Sequence, residues 1–389
     1  MSETYCPGLS QLAIGSEVEH WDVVIVGAGI AGLAAAIALR QEGRRILVLE
    51  KSSMNKEVGA LISLQPNASK IVNGWNMTPF LEEKKLMVDE AFRLLNVEGK
   101  LQVEMKLNTS QFGADRMLYH PATSDDMPGS PAVIRTSSGV IGCDCDTRVV
   151  HLSNGSSVQG DVVVGADGIR SAIRDEVIKG SASEGSKAIP TGLSAYRILV
   201  ETDKLPKLDV SEDVFSLKRL ATTMIVGYDK RVIMGPGRGG EMFGLVCLVP
   251  DPNPNNESTS WNNSAPLEEV LEAFEAFPAW LTPCYRLKVK ARVKASKTQK
   301  HYKHTYPTSG RRHPERLEAV QRARYDRASL IQAYSRLQAK PAASLDNKTV
   351  KLNPQEFMEY NCNYSGAKDW VERNREAEEM AYKQTAARA

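Results

Sequence analysis

The stretch from Asp22 to Ser52, DVVIVGAGIAGLAAAIALRQEGRRILVLEKS, constrains more than any other what this chain can fold into. Four apolar residues, Val23 to Val26, lead into glycines at 27, 29 and 32, then an Ala- and Leu-rich helix, then a second apolar strand, Ile46 to Leu49, that ends at Glu50. Strand, glycine turn, helix and strand in that order predict a β-α-β unit. In such a unit Gly27 permits the tight turn, Gly29 lets backbone N–H groups approach a pyrophosphate, and Gly32 lets the helix lie close on the strand. The helix N-terminus presents partial positive charge to the phosphates, and Glu50, at the carboxyl end of the second strand, can accept hydrogen bonds from ribose hydroxyls. A glycine-rich surface turn would supply the glycines without the flanking elements and the terminal acid in register. The stretch is read as a dinucleotide site.

Composition narrows the classes. The chain has 389 residues, 49 Lys and Arg against 47 Asp and Glu, and a net charge of +2, which gives no global attraction for nucleic acid. No apolar run is long enough to span a bilayer and the first twenty residues carry acids, so no signal peptide or transmembrane segment is expected. Six cysteines without regular spacing fit a reducing, cytoplasmic setting. Cys143 and Cys145 flank Asp144 on an expected strand, where a period of two puts both thiols on one face; strand packing is favoured over a metal or redox role. His120 and His151 are isolated, and no metal site is expected.

A second motif lies further along. Val158 to Ser171, VQGDVVVGADGIRS, reads as a strand ending in Gly165-Ala166-Asp167-Gly168 and followed by a helix start. Upstream, Ala132–Arg135, Val140–Cys145 and Arg148–Leu152 predict a small β-meander. A nicotinamide dehydrogenase would continue with further β-α units instead. With GAGIAG and Glu50, EVGALISLQPNA (Glu57 to Ala68) and GADGIRSAIR (Gly165 to Arg174), the chain resembles the class A flavoprotein monooxygenases, the salicylate and 4-hydroxybenzoate hydroxylase family, and above all its fungal members. The resemblance runs from about Trp21 to Trp280 and returns weakly near the C-terminus.

That resemblance implies an α/β fold: a Rossmann-like FAD-binding domain with an inserted β-meander, a mostly antiparallel sheet domain for substrate, and C-terminal helices. The corresponding division is 20–190, 191–285, an irregular basic segment over 286–314, and a helical part over 315–389 that packs on the FAD domain. It implies FAD as cofactor, held by Gly27, Gly29, Gly32, Glu50, Gly59, Ala60, Asp167 and Gly168. NADPH or NADH is implied as cosubstrate, with O2 and a small aromatic molecule as the reacting partners, as in secondary-metabolite biosynthesis. Arg197, in TGLSAYRILV, matches the arginine that related fungal enzymes place near the phenolate, where a guanidinium would stabilise the anionic phenol. Tyr228 is a second catalytic candidate, able to hydrogen-bond a substrate oxygen.

Two departures from the family pattern stand out. The relatives carry an FAD-binding arginine after a Tyr-His pair, whereas here MLYH ends at His120 and passes to PATSDDMPG; Arg116 is the nearby substitute. Further on, a Gly-Asp-Ala-Ala-His-Pro segment is expected, yet ten Lys or Arg lie from Arg286 to Arg312 and no acid from Ala276 to Pro314. A mis-spliced exon is favoured over a genuine nucleic-acid or anionic-membrane patch and over a diverged set of contacts. Lys288 to Arg312 is expected to be an exposed, poorly ordered connection. The functional readings are a phenol hydroxylase and, alternatively, a catalytically defective flavoprotein-like chain. An NADP-dependent reductase is disfavoured because Glu50 would repel a 2′-phosphate.

Overall fold

The computed structural model describes residues 18–40, 43–53, 62–83, 85, 87–107, 109–119, 131–179, 189–205, 220–251, 265–287, 289–297, 314–337, 352 and 354–375. The chain runs through β1 (Glu19–Val26), α1 (Ile30–Arg40), β2 (Ile46–Leu49), β3 (Ile62–Leu64), α2 (Pro66–Gly74), α3 (Thr78–Glu83), β4 (Met87–Val88), β5 (Ala91–Leu95), β6 (Leu101–Lys106), α4 (Thr109–Phe112) and β7 (Met117–Tyr119). It continues through β8 (Val133–Arg135), β9 (Val140–Asp144), β10 (Val149–Leu152), β11 (Ser157–Gly165), α5 (Ala172–Ile178), β12 (Ile189–Glu201), β13 (Ala221–Val226), β14 (Arg231–Gly237) and β15 (Met242–Pro250). Then come α6 (Leu267–Ala273), α7 (Thr282–Leu287), β16 (Val289–Lys297), α8 (Pro314–Leu337), α9 (Pro354–Cys362) and α10 (Ala367–Arg373). These elements divide into two compact units.

The first unit is a six-stranded sheet ordered β8-β2-β1-β11-β10-β9. β1 pairs in parallel with β2, Val23 opposite Ile46 through Val26 opposite Leu49, and in parallel with β11, ending at Val26 opposite Gly165. A strand paired on both sides and covered on both faces needs apolar residues at every position, which accounts for the unbroken run Val23 to Val26. Val23 and Ile25 pack with Ala36 of α1, Ile46 and Val48. Val24 and Val26 pack on the other face with Leu47, Leu49, Val150 and Ile173. The meander is corrected in one element: β9, β10 and β11 are antiparallel neighbours, but β8 pairs in parallel with β2 at the opposite edge.

The second unit holds a seven-stranded sheet ordered β16-β12-β15-β14-β13-β5-β6, antiparallel except for β13 with β5, and a three-stranded sheet ordered β3-β7-β4. One face of the large sheet forms the core: Tyr196, Ile198, Val232, Met234, Leu245 and Cys247 pack with Phe274, Leu281 and Tyr285 from the α6 to α7 segment. Phe274 and Phe277 meet edge to face at 5.0 Å. The observed division departs from the expected boundaries, because Val58–Thr123 belongs to this unit through the parallel pairing of β5 with β13.

The expected irregularity of residues 286–314 is also corrected in part. Val289–Lys297 forms β16, antiparallel to β12, with Val293 opposite Ala195 and Ala291 opposite Arg197. Its sequence VKARVKASK alternates small apolar with basic residues, the period of a strand, and lysines suit a sheet edge. The rest of the basic stretch, 298–313, lies outside the described residues.

Within the second core the Tyr285 hydroxyl is buried and finds no hydrogen-bond partner. Burial, with the Cys247 and Cys284 thiols beside it, pushes its pKa up. Tyr285→Phe removes an unsatisfied polar group without opening a cavity, so it is expected to stabilise the unit by about 1 kcal/mol. A urea titration checks this through a higher midpoint at unchanged slope.

Candidate dinucleotide site

The turn after β1 is fixed by close approach. Gly27 has φ of +102°, and a Cβ there would lie 2.4 Å from the Ala166 carbonyl oxygen. A Cβ at Gly32 would lie 1.9 Å from the Gly27 carbonyl oxygen, so α1 can sit against the turn only if position 32 is glycine. Gly29 differs: a Cβ there meets nothing within 4 Å. Neither its backbone nor its packing demands glycine, and its N–H stands at the open start of α1. The first turn is exposed, Ile30 at 60%.

Glu50 is held beside that turn. Its Oε2 accepts the Ala28 N–H at 2.8 Å and its Oε1 the Ser52 N–H at 2.8 Å. Burial opposes its ionisation, but these two N–H donors outweigh it and leave the carboxyl pKa below the ordinary value. A carboxylate has about four acceptor positions, so each oxygen keeps a lone pair for a further donor.

In the Asp-Gly motif the aspartate has partners within the chain. Asp167 accepts the Ser171 hydroxyl at 2.5 Å and the Ala172 N–H at 2.8 Å, so its carboxylate caps the start of α5. Gly168 has φ of +80°, the left-handed region that the turn into α5 uses.

In the second unit Arg116 lies in a buried polar cluster. Its Nη1 is 3.1 Å from Asp89 Oδ2, its Nε donates to Ser63 Oγ at 2.8 Å, and its guanidinium stands 5.9 Å from the Phe92 ring centre. Asp89, fully buried, also accepts the Thr222 N–H at 3.0 Å and hydroxyl at 2.7 Å. Arg197, on β12, alternates with Tyr196 and Ile198 and so belongs to the sheet face opposite the apolar core. It is half-buried, its Nε has no hydrogen-bond partner, and burial lowers its pKa from the ordinary value. One step along that face, Gly235 of β14 stands directly opposite Gly244 of β15, next to Leu199.

A family model described as an FAD binding domain matches residues 22–57, the turn, α1 and β2. An FAD-dependent monooxygenase of a Nectria species, ntnJ, is 30% identical over 259 residues, covering 65% of this chain and 59% of that protein. Hispidin-3-hydroxylase of Neonothopanus nambi is 28% identical over 279 residues, 66% of this chain and 64% of that one. The fold is similar to that of CtdE in its crystal structure with FAD and a substrate, with a TM-score of 0.69 and 17% identity over 93% of this chain and 100% of that one. Over about two thirds of its length the chain is thus similar to FAD-dependent monooxygenases and hydroxylases. It spans about three fifths of the length of the curated relatives it matches.

The family model over residues 22–57 makes the dinucleotide of this turn FAD, and the residues fit it. Open space at Gly29, an uncovered α1 N-terminus and a preorganised Glu50 carboxylate are what a pyrophosphate and an adjacent ribose require. Two of the residues expected at FAD make contacts within the protein. Arg116 is engaged with Asp89, because a fully buried carboxylate needs a counter-charge, and Asp167 is engaged with the start of α5. Tyr228 is in the turn between β13 and β14 and is 68% exposed; it is not grouped with Arg197 on the sheet face. Gly59 and Ala60 lie outside the described residues. Asp89, Ser63 and Thr222 escaped the sequence reading, since a lone acid beside a short strand has no distinguishing spacing.

Gly29 and Gly32 separate the two uses of glycine. Gly29→Val is expected to leave the melting temperature nearly unchanged while abolishing flavin binding, whereas Gly32→Val should prevent folding; a melt with an FAD titration checks both. Glu50→Ala is expected to weaken FAD by roughly 1.5–3 kcal/mol, about 10- to 100-fold, in a flavin fluorescence titration.

Proposed function

We propose that the chain carries the catalytic core of an FAD- and NAD(P)H-dependent monooxygenase that hydroxylates a phenolic small molecule. Hispidin-3-hydroxylase among the relatives favours a phenolic secondary metabolite as the substrate class. FAD, reduced by NADPH or NADH, supplies the activation of O2. Gly27, Gly29 and Gly32 shape the phosphate turn and Glu50 accepts from the ribose. Arg197 is the residue we assign to the phenol: a half-buried cation raises the share of phenolate and so the electron density of the ring that must accept oxygen. The observation that carries the reading is the FAD-type turn with the preorganised Glu50 carboxylate beside it.

Among the described residues no helix is long and apolar enough to cross a membrane. We assign the chain to the cytoplasm, where nicotinamide cofactors are available, and assign no nucleic-acid role. The engagement of Arg116 and Asp167 in structural contacts favours a second reading, a flavoprotein-like chain with impaired catalysis. Incubation with a panel of phenols, following NADPH oxidation together with product mass, decides between them: product heavier by one oxygen supports the hydroxylase, and a flavin-bearing chain without turnover supports the impaired form.

Arg197→Gln is expected to keep FAD affinity and flavin reduction while hydroxylation falls by about one to two orders of magnitude, the effect of losing one charged hydrogen bond. Full product yield from the variant would remove Arg197 from the reaction.

A further inference from the structure

Cys143 and Cys145 lie with their sulfurs 3.9 Å apart. The two positions are not equivalent. Cys143 is buried on β9, opposite Val150 of β10, and packs in the core that contains Ile173 of α5. Cys145 lies outside the ladder, as the first residue of the turn that links Asp144 to its partner Val149. That turn has its own local bonds: Asp144 Oδ1 accepts the Asp146 and Thr147 N–H groups at 2.8 and 2.9 Å, and Arg148 closes it with φ of +59°. Both sulfurs therefore lie at one core, Cys143 buried within it on the strand and Cys145 packed against its edge from the four-residue link.

We propose that Cys143 and Cys145 form a redox-active dithiol, closed to an intramolecular disulfide by a hydroperoxide and reopened by a thiol reductant. Residues two apart have Cα atoms at most ~7 Å apart when fully extended and closer where the chain turns, as at Cys145, which brings them within the about 4.4–6.8 Å that disulfides span. Rotation of Cys145 supplies the remaining approach of the sulfurs. In the first step the half-buried Cys145 sulfur attacks a peroxide oxygen, breaking the O–O bond; Cys145 becomes a sulfenic acid and the other oxygen leaves as water or alcohol, taking up the thiol proton. In the second, Cys143 sulfur displaces the sulfenic hydroxyl, its proton leaving with that oxygen as water. Two thiols lose two electrons and two protons, and one peroxide is reduced.

The order of attack follows from the surroundings. Burial, then Cys145 itself and the carboxylates of Glu176 and Asp144, pushes the Cys143 thiol up to about 12. It stays protonated at neutral pH and acts second. A metal role is less well supplied, since no group of three or more His, Cys, Asp or Glu side chains able to hold an ion occurs among the described residues. No other cysteine competes within the described part of this unit; Cys247, Cys284 and Cys362 belong to the second. The bridge would stand in the same core as Ile173, whose N–H points at Asp167 at 3.3 Å. The inference is independent of the hydroxylase reading.

The test is mass spectrometry of the full chain after brief exposure to dilute hydrogen peroxide, blocking of residual thiols with iodoacetamide in denaturant, and digestion. The expected result is a peptide holding Cys143 and Cys145, unalkylated and lighter by two hydrogens, restored to a doubly alkylated form by prior dithiothreitol treatment. Cys145→Ser should abolish the two-hydrogen loss, leaving Cys143 alkylatable only after denaturation. The proposal is overturned if both cysteines of the native chain remain alkylatable, if Cys145 accumulates sulfinic or sulfonic acid with Cys143 intact, or if either sulfur is recovered bridged to another cysteine.

Discussion

The parallel pairing of β1 with β2 on one side and β11 on the other is the constraint on which the rest of the first unit depends. It brings two chain turns far apart in sequence, at Gly27 and at Ala166, so close that no Cβ fits between them. The same pairing sets Glu50 beside Ala28, where a backbone N–H fixes the carboxylate. Burial of β1 on both faces fixes the register, since slipping by one residue would exchange the Val23 and Val24 sets between two different cores. The geometry that receives a dinucleotide is thus a consequence of packing between strands and does not wait for the ligand.

In the second unit the ordering contact is electrostatic. Asp89 has no exposure to water, and desolvation alone would favour its neutral form. Arg116 and the two donors of Thr222 oppose that, although burial remains the larger effect and its pKa stays above the ordinary value. Through Ser63 and Thr222 the pair links the small three-stranded sheet to β13 of the large one. Loss of either partner would leave a buried unpaired charge, a larger penalty than the pair itself contributes. Arg116 thus has a structural partner in Asp89.

Much of the first unit was legible because its signals are local. Val23 to Val26, the three glycines and Glu50 sit within thirty residues, and each has a steric or electrostatic reason that can be read without knowing the fold. Arg197 was legible as a strand residue, and its place on the face away from the core follows from alternation with Tyr196 and Ile198. What could not be read depends on long-range pairing. β8 looked like part of a meander, yet three residues carry no information about which edge they join. Asp167 and Arg116 have the right type and spacing for ligand contacts, but their partners, the start of α5 and Asp89, are chosen by tertiary packing. β16 was hidden by its charge: the period of two in VKARVKASK is plain once a neighbouring strand is known, whereas a count of lysines suggests solvated chain.

The central claim is that the α1 turn and Glu50 form a working FAD site in this chain. The most direct measurement is the flavin to protein ratio of the full chain after incubation with excess FAD and gel filtration, read from flavin and protein absorbance. The account predicts a yellow protein that co-elutes with close to one FAD per chain. A folded protein that elutes colourless, with all the flavin in the small-molecule fraction, would contradict it.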